Sequence, residues 1–111
     1  MNASGKMPIF SEITFKKMDV SIYNNLSQQI PDKFVVIKEI FPKNELEEIW
    51  RNYESHLSDL QIFPFLGTLG EAIICVGYGD RNKGKIFYFD FGGFELEGDK
   101  LEEFLGKLIA S

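Results

Sequence analysis

Residues 71–91 read EAIICVGYGDRNKGKIFYFDF, and this stretch decides the fold. Residues 71–78 and 85–91 are two runs rich in β-branched and aromatic side chains, joined by the polar, Gly-bracketed segment 79–84. The pattern predicts an antiparallel hairpin with a long loop at the centre of a sheet. In the second run Ile86, Tyr88 and Asp90 alternate with Phe87, Phe89 and Phe91. Strand side chains alternate between faces, so the reading places the Phe face in the core.

Upstream, residues 34–41 (FVVIKEIF) read as a strand that Pro42 ends. Asn44 then precedes a helix over 45–53, with acidic residues in its first turn and Leu46, Ile49, Trp50 and Tyr53 along one face. Ile62, Phe63, Phe65 and Leu66, broken by Pro64 and Gly67, predict an extended segment running into the loop 67–70. Nearer the amino terminus, Asp19 or Ser21 is positioned to cap a helix over 20–29, whose Ile22, Tyr23, Leu26 and Ile30 follow helical spacing up to Pro31. Ile13, Phe15, Met18 and Val20 fit a strand or a short helix, while residues 1–8 lack periodicity and read as a flexible arm ahead of a single domain over 9–111. Downstream, Gly92-Gly93 marks a turn and Phe94 and Leu96 a short edge strand. Asp99 then caps a closing helix with the apolar stripe Leu101, Phe104, Leu105 and Leu108.

A chain of 111 residues suits one domain, and its 44% hydrophobic and 26% charged residues are those of a globular protein. No apolar run approaches the roughly 20 residues that span a bilayer, and residues 1–8 carry no secretory h-region, so the expected address is the cytoplasm. The net charge of -5 disfavours nucleic acid and anionic membranes as partners. The charge is unevenly placed: residues 1–31 hold three Lys against two acids, whereas 32–111 hold nine bases against fifteen acids. Clusters at Glu45, Glu47 and Glu48 and again from Glu95 to Glu103 are solvated faces or a surface for a basic protein.

Residue chemistry points away from catalysis. Cys75 is the one cysteine and lies in the apolar run Ala-Ile-Ile-Cys-Val, which reads as a buried structural thiol rather than a nucleophile. The single His56, placed after a helix end, has no second His with which to share a metal. Gly77-Tyr78-Gly79 and the loop 67–70 lack the Walker lysine and the dinucleotide fingerprint, and are turn glycines. Tyr78, Tyr88 and Phe94 look exposed enough to stack bases, yet no basic groove accompanies them, and Arg81, Lys83 and Lys85 read as a solvated hairpin tip. Glu71, Asp80 and Asp90 would make a carboxylate set if they converged. The simpler reading gives Asp80 to the hairpin turn and leaves Glu71 and Asp90 as sheet-edge charges.

The order of these elements, with the stretches FPFLGTLGE (63–71), GKIFYFD (84–90) and LEEFLGKL (101–108), resembles the SUKH superfamily, which includes bacterial immunity proteins and yeast cell-wall-synthesis regulators. The likeness covers about residues 33–109. Where members carry a Gly-Asp pair at the start of the first hairpin strand, this chain has Gly70-Glu71, and the usual amino-terminal tryptophan helix and Asn-Gly turn are not evident. The resemblance implies an α+β domain with a twisted, largely antiparallel sheet and packed helices. It also implies no enzymatic activity and no cofactor.

The leading expectation is therefore a cytoplasmic protein-binding module, an immunity protein that occludes the active surface of a cognate, basic toxin, often a nuclease in this superfamily. The candidate contacts are Glu71, Tyr78, Asp80 and Asp90 around the hairpin, with Glu95 and Glu97 on its rim. Two alternatives stand beside it: a small-ligand or peptide sensor with a pocket between the sheet and the Trp50 helix, and a small hydrolase using Glu71, Asp80 and Asp90, with or without a divalent metal.

Overall fold

The computed structural model describes residues 15–90 and 93–109. The arm over 1–8, the start of the domain at residue 9, Ile13, Phe91 and Gly92 lie outside the described residues, as do the side chains of Phe94, Glu95, Glu97 and Asp99. Among the described residues, six strands form one sheet in chain order: β1 (Lys17–Asp19), β2 (Phe34–Ile40), β3 (Ile62–Thr68), β4 (Ile73–Gly77), β5 (Lys85–Phe89) and β6 (Gly93–Lys100). Every neighbouring pair is antiparallel. The predicted α+β class and antiparallel sheet are thus observed, as a meander whose consecutive strands all lie side by side.

The 18-residue helix α2 (Lys43–Leu60) connects β2 to β3. It runs past the expected end at residue 53, so His56 lies inside the helix rather than after it, and it starts at Lys43 with Pro42 as N-cap, so that Asn44 is already within it. The apolar series continues through Leu57 and Leu60, which explains the longer run. Tyr53 departs from helical geometry (φ -123°, ψ 15°) and kinks α2. Gln61 ends it in the left-handed region (φ 57°), its N–H donating to the Leu57 and Ser58 carbonyls.

The helix predicted over 20–29 is broken in two. A 3-10 turn (Val20–Ile22), opened by the Asp19 carboxylate accepting from Ser21 N at 3.0 Å, is followed by α1 (Asn24–Ser27). Between them Tyr23 is extended (φ -111°, ψ 94°) and buried. Burying that ring against the sheet outweighs the small helical preference of a four-residue turn. At the other end of the chain, β6 is eight residues long, more than the short edge strand expected, and α3 (Leu101–Gly106) begins after Lys100 rather than Asp99. The Glu103 carboxylate accepts the Lys100 N–H at 2.9 Å, so this acid is a helix-start device.

The sheet is covered on both faces. On one, Tyr23, Leu26 and Phe104 pack with Val35, Ile37, Leu66, Ile74, Ile86, Tyr88 and Leu96. On the other, Leu57 of α2 packs with Ile62, Cys75, Phe87 and Phe89, and Trp50 and Tyr53 close over them. The expectation that only the Phe side of β5 is core therefore needs correction: Ile86 and Tyr88 are as buried as Phe87 and Phe89, and they belong to the larger cluster. A strand sandwiched between helices loses its polar face, which is why KIFYF reads as an almost continuous apolar run. Pro64 sits in register with Cys75 of β4, beside a register shift between Pro64 and Leu66, the kind of irregularity that tolerates proline in a strand.

Candidate functional site

The β4–β5 register sets which candidate residues meet. Ile73 pairs with Phe89 and Val76 with Ile86. Glu71 and Asp90, just beyond the first of these pairs, therefore come to one end of the hairpin. Tyr78 and Asp80 begin the loop at the other end, seven residues along the chain from Glu71 to Tyr78, or about 23 Å at roughly 3.3 Å each. All four side chains are exposed. Asp80 thus does not join Glu71 and Asp90, and the three-carboxylate hydrolytic set is not assembled. Glu95 and Glu97 lie on the edge strand β6, Glu95 in register with Phe87.

The Glu71–Asp90 end borders a cleft of about 480 Å³. One wall is the start of β2, with Asp32 just ahead of Phe34, Val35 and Val36; the other is the β3–β4 connection from Thr68 to Ala72. That connection is pinned from within: Thr68 Oγ1 donates to the Ala72 carbonyl at 2.6 Å, and Leu69 N donates to the Val36 carbonyl at 3.1 Å. Leu69 is 61% exposed and Phe34 44%, an unusual display of large apolar surface beside three carboxylates. The Lys17 ammonium stands 4.3 Å from the Phe34 ring centroid. At the base lies Tyr88, only 4% exposed, which corrects its reading as an exposed stacking residue. Burial, and then the charges of Asp90 and Asp32, push its phenol above the ordinary value. Glu71 and Asp90 also border a second, much smaller cavity of about 30 Å³, walled by Tyr53, Ile73 and Phe89 beneath the α2 kink.

The opposite loop is built rather than loose. Asn82 Nδ2 donates to the Leu60 and Gln61 carbonyls at 3.0 and 3.2 Å, and its Oδ1 accepts from Gly79 N at 2.8 Å. Asn82 therefore does the turn-shaping work expected of Asp80. A Cβ on Gly77 would collide with the Asn82 carbonyl, and one on Gly79 with the Gln61 side chain, so both glycines permit a close approach of the loop to α2's end. Tyr78, 48% exposed, projects from this side.

The remaining candidates carry little chemistry. Cys75 is fully buried, and burial pushes its thiol far above the ordinary value, which leaves no nucleophilic thiolate. His56 is exposed, its ring 6.4 Å from that of Phe89. Among the described residues no group of three or more His, Cys, Asp or Glu is placed to hold a metal ion, and no helix is long and apolar enough to cross a membrane. The space expected beside Trp50 is a shallow groove of about 490 Å³, floored by Leu46, Trp50 and Phe63 and edged by Lys43, Glu47, Arg51 and Glu54. The Trp50 and Phe63 rings lie 5.4 Å apart, tilted by 35°.

Sequence reasoning found Glu71 and Asp90 but missed Asp32, Phe34 and Leu69. Leu69 carried a signal, since a large apolar residue between loop glycines is poorly placed for burial. Asp32 and Phe34 carried none, because their approach to residues 88–90 depends on how the β2–β3 and β4–β5 pairs are arranged.

No curated protein matches the chain. The family model RhsPI, of the Rhs-associated immunity proteins, matches residues 12–109, from ahead of the first described strand through the last described residue. A match over nearly the whole chain settles its kinship: this protein belongs to the RhsPI family of Rhs-associated immunity proteins.

Proposed function

We propose that the protein acts in the cytoplasm as a non-enzymatic immunity protein, binding the toxin domain of a cognate Rhs protein and occluding its active surface. The observation that carries this reading is the RhsPI match over residues 12–109. The acidic balance of the chain supports a basic partner, such as a nuclease that must itself attract phosphates, because complementary charge accelerates encounter and disfavours wrong partners. The contact surface is centred on Glu71 and Asp90, with Asp80 and Tyr78 at the far end of the hairpin and Glu95 and Glu97 along β6. The order of strands and helices also fits the SUKH-like fold suggested by the sequence resemblance.

Calorimetry of the purified chain with the cognate toxin domain tests the reading, and a saturable stoichiometric complex is expected. Reversing charge at Asp80 and Glu95 together should slow association at low salt and leave dissociation nearly unchanged. Absence of binding by a folded chain refutes the function; unchanged kinetics remove those two residues from the surface. The peptide or ligand sensor reading rests on the groove beside Trp50. It requires a ligand that changes Trp50 emission, and a flat response across a ligand panel counts against it.

A further inference from the structure

We propose that the groove beside Trp50 is covered by the same groove of a second copy of this chain, the two α2 helices lying antiparallel across a two-fold axis. The inference goes beyond the immunity reading and does not depend on it. Leu46, Trp50 and Phe63 floor the groove, and Phe63 is 40% exposed even with its ring against that of Trp50. A contiguous apolar strip of this kind marks an interaction surface, unlike single scattered residues.

The charges decide which partner fits. Lys43, Glu47, Arg51 and Glu54 edge the groove, and all four side chains are exposed. They recur at helical spacing along α2, and Glu54 still borders the groove one residue past the kink at Tyr53. Two bases and two acids make this edge neutral on a chain of net charge -5, so here two copies repel each other least. A basic partner would meet Lys43 and Arg51, and an acidic one Glu47 and Glu54. The signs run plus, minus, plus, minus, an order that is its own complement when reversed. Antiparallel pairing sets Lys43 opposite Glu54 of the second copy, and Glu47 opposite its Arg51. The midpoint of the first pair falls between Glu48 and Ile49 and that of the second at Ile49. Half a residue is about 0.8 Å of helix rise, so one axis serves all the pairs. Parallel pairing in register would oppose each charge to itself. A two-fold contact also brings the same flank of both helices together, so Leu46 and Trp50 meet their counterparts while Glu47 and Arg51 pair on the other flank. One helix pair buries less than the roughly 1,200–2,000 Å² of a standard complex, which places the dimer in the weak, reversible range, with Kd on the order of 10–100 µM. Glu71, Tyr78, Asp80 and Asp90 do not line the groove, so dimerisation and the proposed toxin contact use different residues.

Sedimentation equilibrium of the full chain from about 5 to 500 µM tests the proposal, and a concentration-dependent approach to twice the chain mass is expected. Glu47→Arg and Arg51→Glu each set like charges opposite one another across the axis, and each should associate at least about tenfold more weakly, with an unchanged far-ultraviolet circular dichroism spectrum. An equimolar mixture of these two variants restores the opposite-charge pairs and should associate as the wild-type chain does. The double variant Glu47→Arg, Arg51→Glu should also recover self-association, and it keeps the test decisive if a single variant fails to fold. A wild-type chain that stays monomeric at the highest concentration overturns the proposal, as does association that neither single variant weakens. A monomeric chain whose Trp50 emission shifts on titration with the toxin domain gives the groove to the toxin instead.

Discussion

Replacing Asn82 by Ala should unfasten the hairpin loop from the end of α2. The side chain makes three hydrogen bonds, to the Leu60 and Gln61 carbonyls and from Gly79 N. Each such bond contributes about 0.5–1.5 kcal/mol net, so simple addition gives an upper bound of about 4.5 kcal/mol. The two carbonyls belong to exposed residues and regain water when the amide is removed, which cuts their share. Gly79 is buried, and its N–H left without an acceptor costs about 1–3 kcal/mol. The balance is a loss of about 2 kcal/mol, or roughly 8–16 °C in Tm for a domain of this size. Urea unfolding followed by Trp50 fluorescence measures it directly. Asn82→Asp keeps the acceptor for Gly79 but sets a carboxylate against two carbonyls. That variant should be at least as unstable at neutral pH and recover as acid restores an O–H donor. A loss below about 0.5 kcal/mol for Asn82→Ala would refute the view that this side chain clamps the loop.

Further expectations concern the backbone, the core and the phenol of Tyr88. Gly84 sits at φ +80° with open space around it, so Gly84→Ala should cost about 1–2 kcal/mol from backbone strain alone, whereas Gly77→Ala should cost more because its methyl group meets the Asn82 backbone. Truncating Phe104 or Phe89 to Ala should cost about 3–5 kcal/mol, since they anchor opposite faces of the sheet; a loss under about 1 kcal/mol in denaturant unfolding would contradict the packing. The Tyr88 phenol is raised in the folded chain, so the folded state holds its proton longer than the unfolded state does. Stability is therefore undiminished below the ordinary value of 10.0 and falls as pH rises beyond it. Asp90→Asn should move the ultraviolet-detected ionisation of Tyr88 back toward that value, and an unmoved titration would show that the carboxylate does not reach the phenol. Cys75 should resist thiol reagents until the chain unfolds, and rapid labelling of native protein would contradict its burial.

The central hairpin, the strand at residues 34–40 and the stripe of the last helix were legible because each is a local pattern strong enough to survive tertiary context. Helix α2 was read too short, although Leu57 and Leu60 continued its apolar spacing after Tyr53. The break at Tyr23 was not legible, because the residues around it keep helical spacing and only the pull of the core on one aromatic ring separates the two turns. The same limit applies to the site. Glu71 and Asp90 flank a hairpin whose two strands were recognisable, so their meeting followed from register. Asp32 and Phe34 join them through pairings between strands far apart in sequence, which no local period encodes. The double burial of β5 was visible only as an unusually apolar run, and alternation alone assigned it one face.

The most direct test of the central claim is growth of cells that produce the cognate Rhs toxin domain, with and without this chain at matched expression. Full protection by the wild-type chain, diminished by Glu71→Lys with Asp90→Lys in a variant that remains folded, is the predicted result. Unrelieved toxicity in the presence of abundant, folded wild-type chain would contradict the immunity function.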